Sequence, residues 1–179
     1  MKPVRVSLGF TSGSSFLSSL IRKLDSVPGV KPVNHCFWKF YFDKDDNQQS
    51  LVYESHLKGG VQITPWERVA HARTVGKIYR ISVIDIGLGG IEAQRIWDVC
   101  WRYLHGKSYD VRRIIGYYIW IKVTKRKSNS MLNFHRKNML TCNEFIISSA
   151  HKAEIAQFEN IDYSYTPNKL LRHFDNGDR

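Results

Sequence analysis

The run His35-Cys36-Phe37-Trp38-Lys39-Phe40-Tyr41-Phe42 restricts this chain more than any other segment. Dense aromatic residues suit a pleated strand, and alternation puts His35, Phe37, Lys39 and Tyr41 on one face with Cys36, Trp38, Phe40 and Phe42 on the other. Residues 43–50 are polar and turn-rich, and Leu51-Val52-Tyr53-Glu54-Ser55-His56 follows them. A hairpin is predicted, with Val52, Glu54 and His56 sharing one face. The polar loop leaves the register open, so either Glu54 or His56 can stand beside His35.

Other segments supply more strands and the helices. Val4 to Phe10 alternates like a strand, and Thr11-Ser12-Gly13-Ser14-Ser15 gives turn and cap residues before the helical spacing of residues 16–24. Residues 27–32, with Pro28, Gly29 and Pro32, form a loop into His35. After Gly59-Gly60 and Val61-Gln62-Ile63, Thr64-Pro65-Trp66-Glu67 predicts an N-cap at Thr64, Pro65 at the first helical position and a helix through about Ala70. Residues 77–86 read as a strand, Gly87-Leu88-Gly89-Gly90 as a turn lacking the pattern of a phosphate loop, and residues 91–104 as a helix. That helix offers Ile91, Ile96, Val99, Cys100, Tyr103 and Leu104 for packing. Residues 114–123 are apolar enough to be buried as helix or strand, and residues 124–137 form a basic, aperiodic loop. A helix runs from Cys142 to about Ala156, and Thr166-Pro167 starts a last one before a frayed tail at 174–179. The expected fold class is α+β: one domain over residues 1–179, with a central antiparallel sheet and helices packed on it.

Composition narrows the function classes. Cys36, Cys100 and Cys142 are odd in number and have no CxxC spacing, which argues against a disulfide framework and a structural zinc site and suits a reducing compartment. His71, His105, His135, His151 and His173 lack metal-ligand spacing, and no cofactor is expected. Nowhere do some 18 apolar residues run together, and the start of the chain lacks the apolar core of a signal peptide. A cytoplasmic or virion-associated protein is therefore expected. The net charge of +11 favours polyanionic partners, an acidic polymer or anionic lipid among them, whereas nucleic acid is disfavoured because no nucleic-acid motif is present.

Cys142 carries the chemistry. A thiolate is the nucleophilic form of cysteine, and it is favoured at a helix N-terminus and beside an imidazolium. Thr141-Cys142-Asn143-Glu144-Phe145 gives the first condition, and His35 supplies the second if the fold brings it across. A third polar group would accept a hydrogen bond from the other imidazole nitrogen, for which Glu54 and His56 are the candidates. Cys36 points away from His35 along the strand and is assigned to the core, as is Cys100 on an apolar helix face. Against this, a cysteine followed by Phe145-Ile146-Ile147 is commonly no more than a small buried residue.

The ordered set Asn34-His35, Val52-Tyr53-Glu54-Ser55, Gly60-Val61, Thr64-Pro65-Trp66, Gly106-Lys107-Ser108-Tyr109-Asp110 and Thr141-Cys142-Asn143-Glu144-Phe145 resembles the circularly permuted NlpC-like, papain-like cysteine hydrolases, and most of all their YiiX/YaeF-like branch. That branch shows Ser-His, Glu-Ala, Gly-Lys-Pro-Tyr-Asp and Cys-Ser-Glu in this order. Lecithin retinol acyltransferase belongs to the same permuted superfamily. The likeness covers about residues 4–171 and implies a permuted papain-like fold with Cys142 as nucleophile, His35 as base and Glu54 as the orienting residue. His56 drops to second choice, and Glu144 and Tyr109 become supporting positions. Asn34, Ser55, Ser108 and Asn143 stand where the branch has Ser, Ala, Pro and Ser, and the opening lacks its Gly-Asp. These departures bear on the substrate.

The resemblance thus implies a cysteine hydrolase or acyltransferase acting on an amide or ester through an acyl-enzyme, of which a cell-wall peptide amidase or peptidase is one form; the short, basic chain without a signal peptide also suits a phage protein such as a virion-associated peptidoglycan hydrolase. The competing reading is a non-catalytic basic binding or virion structural module that keeps the fold.

Overall fold

The computed structural model describes residues 2–14, 18–19, 31–42, 50–112, 114–116, 119 and 139–175. Most of the helix expected over 16–24, the loop 43–49, the basic stretch 124–137 and the last four residues lie outside them. The protein is a mixed α and β structure. Strands β1 (Arg5–Gly13), β2 (His35–Tyr41), β3 (Ser50–His56), β4 (Gly60–Pro65) and β5 (Ile78–Gly89) build an antiparallel sheet of order β4-β3-β2-β1-β5. The aromatic strand is central, paired along both edges, and the clusters packed on the two sides of the sheet bury both its faces.

Cys36, Trp38 and Phe40 join Val6, Leu8, Phe10 and Tyr53 in the main core. Helices α2 (Gly90–Val99) and α3 (Cys142–Lys152) close it, α2 against β1 and β5, α3 against β2 and β3. Phe145, Ile146, Ile147 and Ala150 of α3 are buried completely. At about 1.5–3 kcal/mol for each large apolar side chain, they hold α3 far more firmly than its own helix propensity does. Trp38 adds a directional tie, its Nε1–H donating to Ser149 Oγ at 2.7 Å.

The other face carries a smaller cluster, Phe37 and Val52 under Val69 and Trp66 of α1 (Trp66–Thr74), with Ile78 and Ile81. Phe37 faces Gly9 across the strands, and its ring fills the space a β-carbon there would need. Lys39 is buried on this face with its ammonium 4.0 Å from the Trp66 ring and 4.5 Å from that of Tyr41, a cation–π arrangement.

Several expected boundaries shift. Thr64 belongs to β4 and does not cap α1; the helix begins at Trp66 with Pro65 as N-cap and runs to Thr74, beyond Ala70. The Thr64 hydroxyl is committed to Glu54 instead. Residues 87–89 are not a turn: β5 continues through them, pairing Leu88 with Val6 and Gly89 with Arg5 beyond a register shift near Gly87, whose φ of 75° suits glycine. The helix from Gly90 becomes a π-helical turn at Cys100–Leu104. The wider turn changes the phase of the side chains, so Tyr103 is 60% exposed; Ile91, in the first turn of α2, is 71% exposed. Trp97 packs in their place, 5.1 Å from Phe40 and 5.6 Å from Tyr53 between ring centroids. Of the apolar run after Ile114, Ile114 is buried, whereas Ile115 and Ile119 are exposed. Helix α3 stops at Lys152 rather than Ala156, and Glu154 follows with a φ of 55°. Phe174 is not frayed: it lies in α4 (Pro167–Asp175), its ring 5.0 Å from that of Phe158.

Candidate active site

His35 is the first residue of β2, and a web of polar contacts fixes the chain leading to it. Asn168 of α4 accepts from Val33 N–H at 2.7 Å and donates to Val33 C=O at 3.0 Å. Asn34 Oδ1 accepts from Gly13 N–H at 2.8 Å, and the Ser12 hydroxyl donates to Pro32 C=O. Glu54 is placed by β3, paired with Phe37. The ladder between β2 and β3 stops there, leaving the His35 ring to lean diagonally onto Glu54 rather than straight across onto His56.

Cys142 opens α3. Thr141 is the N-cap, and Glu144 Oε2 accepts from Thr141 N–H at 2.9 Å while the Thr141 hydroxyl lies 2.7 Å from the same oxygen. Glu144 therefore supports the site by fixing the helix start rather than by facing the imidazole. The approach to Cys142 runs along β7 (Met139–Leu140), parallel to β6 (Ser108–Tyr109), and the Ser55 hydroxyl donates to Leu140 C=O at 2.8 Å. Gly60 sets the position of β6. Its φ of 63° suits glycine, a β-carbon there would collide with the Lys107 carbonyl oxygen, and Val61 N–H donates to Lys107 C=O at 2.7 Å. The pairings of Gly60-Val61 and Ser55 thus deliver Tyr109 and Cys142 to the end of β3 that bears Glu54.

The result is a continuous polar chain. His35 Nε2 lies 2.8 Å from Glu54 Oε2, Thr64 Oγ1 donates to Glu54 Oε1 at 2.8 Å, and His35 is also hydrogen-bonded to Cys142. With Nε2 engaged by the carboxylate, Nδ1 is the nitrogen left for the thiol. Burial by itself would lower the His35 pKa, but the hydrogen bonds and charges of Cys142 and Glu54 outweigh it and raise the value to about 10. Burial would raise Glu54, and the His35 contact, helped by Thr64, holds it at about 2 instead. For Cys142 a hydrogen bond with Cys36 is the largest influence; burial opposes it, His35 reinforces it, and the thiol falls well below its ordinary range. The favoured state is an imidazolium between a thiolate and a carboxylate.

His56 stands edge-on to His35, ring centroids 6.1 Å apart, and burial together with the His35 charge lowers its pKa, so it stays neutral. Tyr109 is buried and hydrogen-bonded to Cys142; burial, then the Cys142 charge, keeps its hydroxyl protonated. His35, Glu54, His56 and Tyr109 all line an open cleft of about 640 Å³, while Cys142 sits behind that wall at 3% exposure. Two participants went unrecognised in the sequence. Cys36 does lie in the core, but at the place where the thiol of Cys142 also lies; Thr64 is a carboxylate donor disguised as a helix cap. Alternation along a strand could not show the first, because α3 reaches the end of β2, where His35 and Cys36 both come within range.

Among the described residues, no group of three or more His, Cys, Asp or Glu is arranged to hold a metal ion, and no helix is long and apolar enough to cross a membrane. No protein-family model matches this sequence, and no curated protein matches it.

Proposed function

We propose that this protein is a cysteine hydrolase or acyltransferase with a circularly permuted papain-like fold, in which Cys142 is the nucleophile, His35 the general acid–base and Glu54 the residue that orients the imidazole. The observation that carries the reading is the hydrogen-bonded order Glu54, His35, Cys142 at a helix N-terminus. The Cys142 thiolate attacks the carbonyl carbon of an amide or ester, forming the C–S bond as the carbonyl electrons move to oxygen. The backbone N–H of Cys142, at the start of α3, and the hydroxyl of Tyr109, beside the thiol, are the donors we assign to that oxyanion. The imidazolium gives its proton to the departing amine or alcohol as that bond breaks, leaving an acyl-enzyme. Water or an acceptor hydroxyl then attacks the thioester carbon as His35 takes its proton, and the C–S bond breaks to release the acyl product and restore the Cys142 thiolate beside the imidazolium. Burying three ionisable groups together costs stability that a purely binding module has no reason to spend.

Treatment with a small thiol alkylator at about pH 6 tests the reading. Cys142 should be labelled selectively, and the labelling should vanish in His35→Ala. Equal labelling of Cys36, Cys100 and Cys142, or none at any of them, would refute it.

A further inference from the structure

The cleft wall is strongly asymmetric in charge. Besides His35 and His56 it is lined by Lys58 from the β3–β4 turn, Arg68 from α1 and Lys77 from the approach to β5. Glu54 is its one carboxylate among the described residues, and both its oxygens are already bonded, to His35 and Thr64. Glu67, next to Arg68 on α1, does not face the cleft. The thiolate, imidazolium and Glu54 carboxylate leave one net negative charge, set against three cations on three separate elements. Arg68 offers a planar fork suited to two oxygens of one anion, and Lys58 and Lys77 act as point charges. A cleft walled by one sign of charge concentrates ligands of the other.

We infer that this cleft takes an acyl substrate bearing an anionic group, a carboxylate or a phosphate, read by Lys58, Arg68 and Lys77. The inference rests on the catalytic reading for the word substrate, but its binding claim can be tested without turnover. Binding of N-acetylglutamate and of glycerol phosphate to the Cys142→Ala protein is followed at low salt through the His56 imidazole signals in NMR. At least one of them should bind, weakening about fivefold in each of Lys58→Gln, Arg68→Gln and Lys77→Gln and less than twofold in Arg95→Gln on the exposed side of α2. Whichever binds identifies the anion as carboxylate or phosphate. In the intact protein, the preference of Cys142 for iodoacetate over iodoacetamide should fall in the three cleft variants, leaving only the part due to the His35 imidazolium. Failure of both anions to bind, or equal weakening in Arg95→Gln, would overturn the inference by reducing it to the chain's overall positive charge. Anion binding with an unreactive Cys142 would uphold the anionic cleft and remove the catalytic reading instead.

Discussion

Cys100 lies in the π-helical turn, completely buried, with Ser149 as a hydrogen-bonding neighbour; Cys142 lies at the first turn of α3, almost as deeply buried, with Cys36, His35 and Tyr109 around its sulfur. Burial pushes the Cys100 thiol far up, and one hydroxyl neighbour does little to offset that. The same burial acts on Cys142 and loses to a second thiol and an imidazolium. Depth in the core therefore does not decide how readily a cysteine ionises. Partners and a helix terminus do.

Breaking the reactive side of this comparison should have the largest effect. Cys142→Ser should lower turnover of any substrate by about 10³-fold or more while melting close to the parent, as measured by steady-state kinetics and calorimetry. His35→Ala comes next. Without the imidazolium the buried Cys142 thiol loses one of the two partners that lower it, so alkylation near pH 6 should slow by about 10²-fold. The gap between the two thiols would narrow, and a rate in His35→Ala equal to the parent's would show that His35 does not create the difference.

Glu54→Gln should have a smaller effect on rate, about tenfold, and a distinct one on stability. Glu54 has a folded pKa of about 2 against an ordinary 4.5, so its contribution is present above about pH 4.5 and lost as pH falls toward 2. His35, raised from 6.5 to about 10, contributes fully below 6.5 and loses its contribution as pH rises through 10. Between about pH 4.5 and 6.5 Glu54 and His35 both contribute in full, and the lowered Cys142 thiol makes the parent's stability in denaturation climb with pH across that window. Glu54→Gln should lie about 2 kcal/mol below the parent in that window and converge with it near pH 2. A constant gap at all pH values would mean that the side chain matters for packing alone. The smallest effect belongs to Cys100→Ala, which should cost about 1 kcal/mol through a small cavity and leave turnover unchanged. A Cys100→Ala protein with reduced alkylation of Cys142 would erase the contrast between the two regions.

The His35–Tyr41 strand was legible because its alternating rings fit only a strand buried on both faces, and its hairpin partner because a polar turn separates two such runs. Cys142 at a helix start was legible from Thr141 and Glu144, whose capping is local chemistry. The extent of β5 was not, since Gly87 and Gly89 signal a turn in isolation and a bulged strand when β1 is alongside. Thr64 misled for a similar reason: a threonine before proline reads as a cap unless a carboxylate on the neighbouring strand claims its hydroxyl.

The sequence by itself determined the strand and helix types around the site and the identities of the three candidate groups, because periodicity, capping and side-chain chemistry act over a few residues. Tertiary structure alone decided that Glu54 and not His56 meets His35, that Cys36 and Tyr109 reach Cys142, and that Lys58, Arg68 and Lys77 share one cleft. Each of those depends on register or on docking between segments far apart in the chain, and a one-residue slip in a strand moves every side chain to the opposite face.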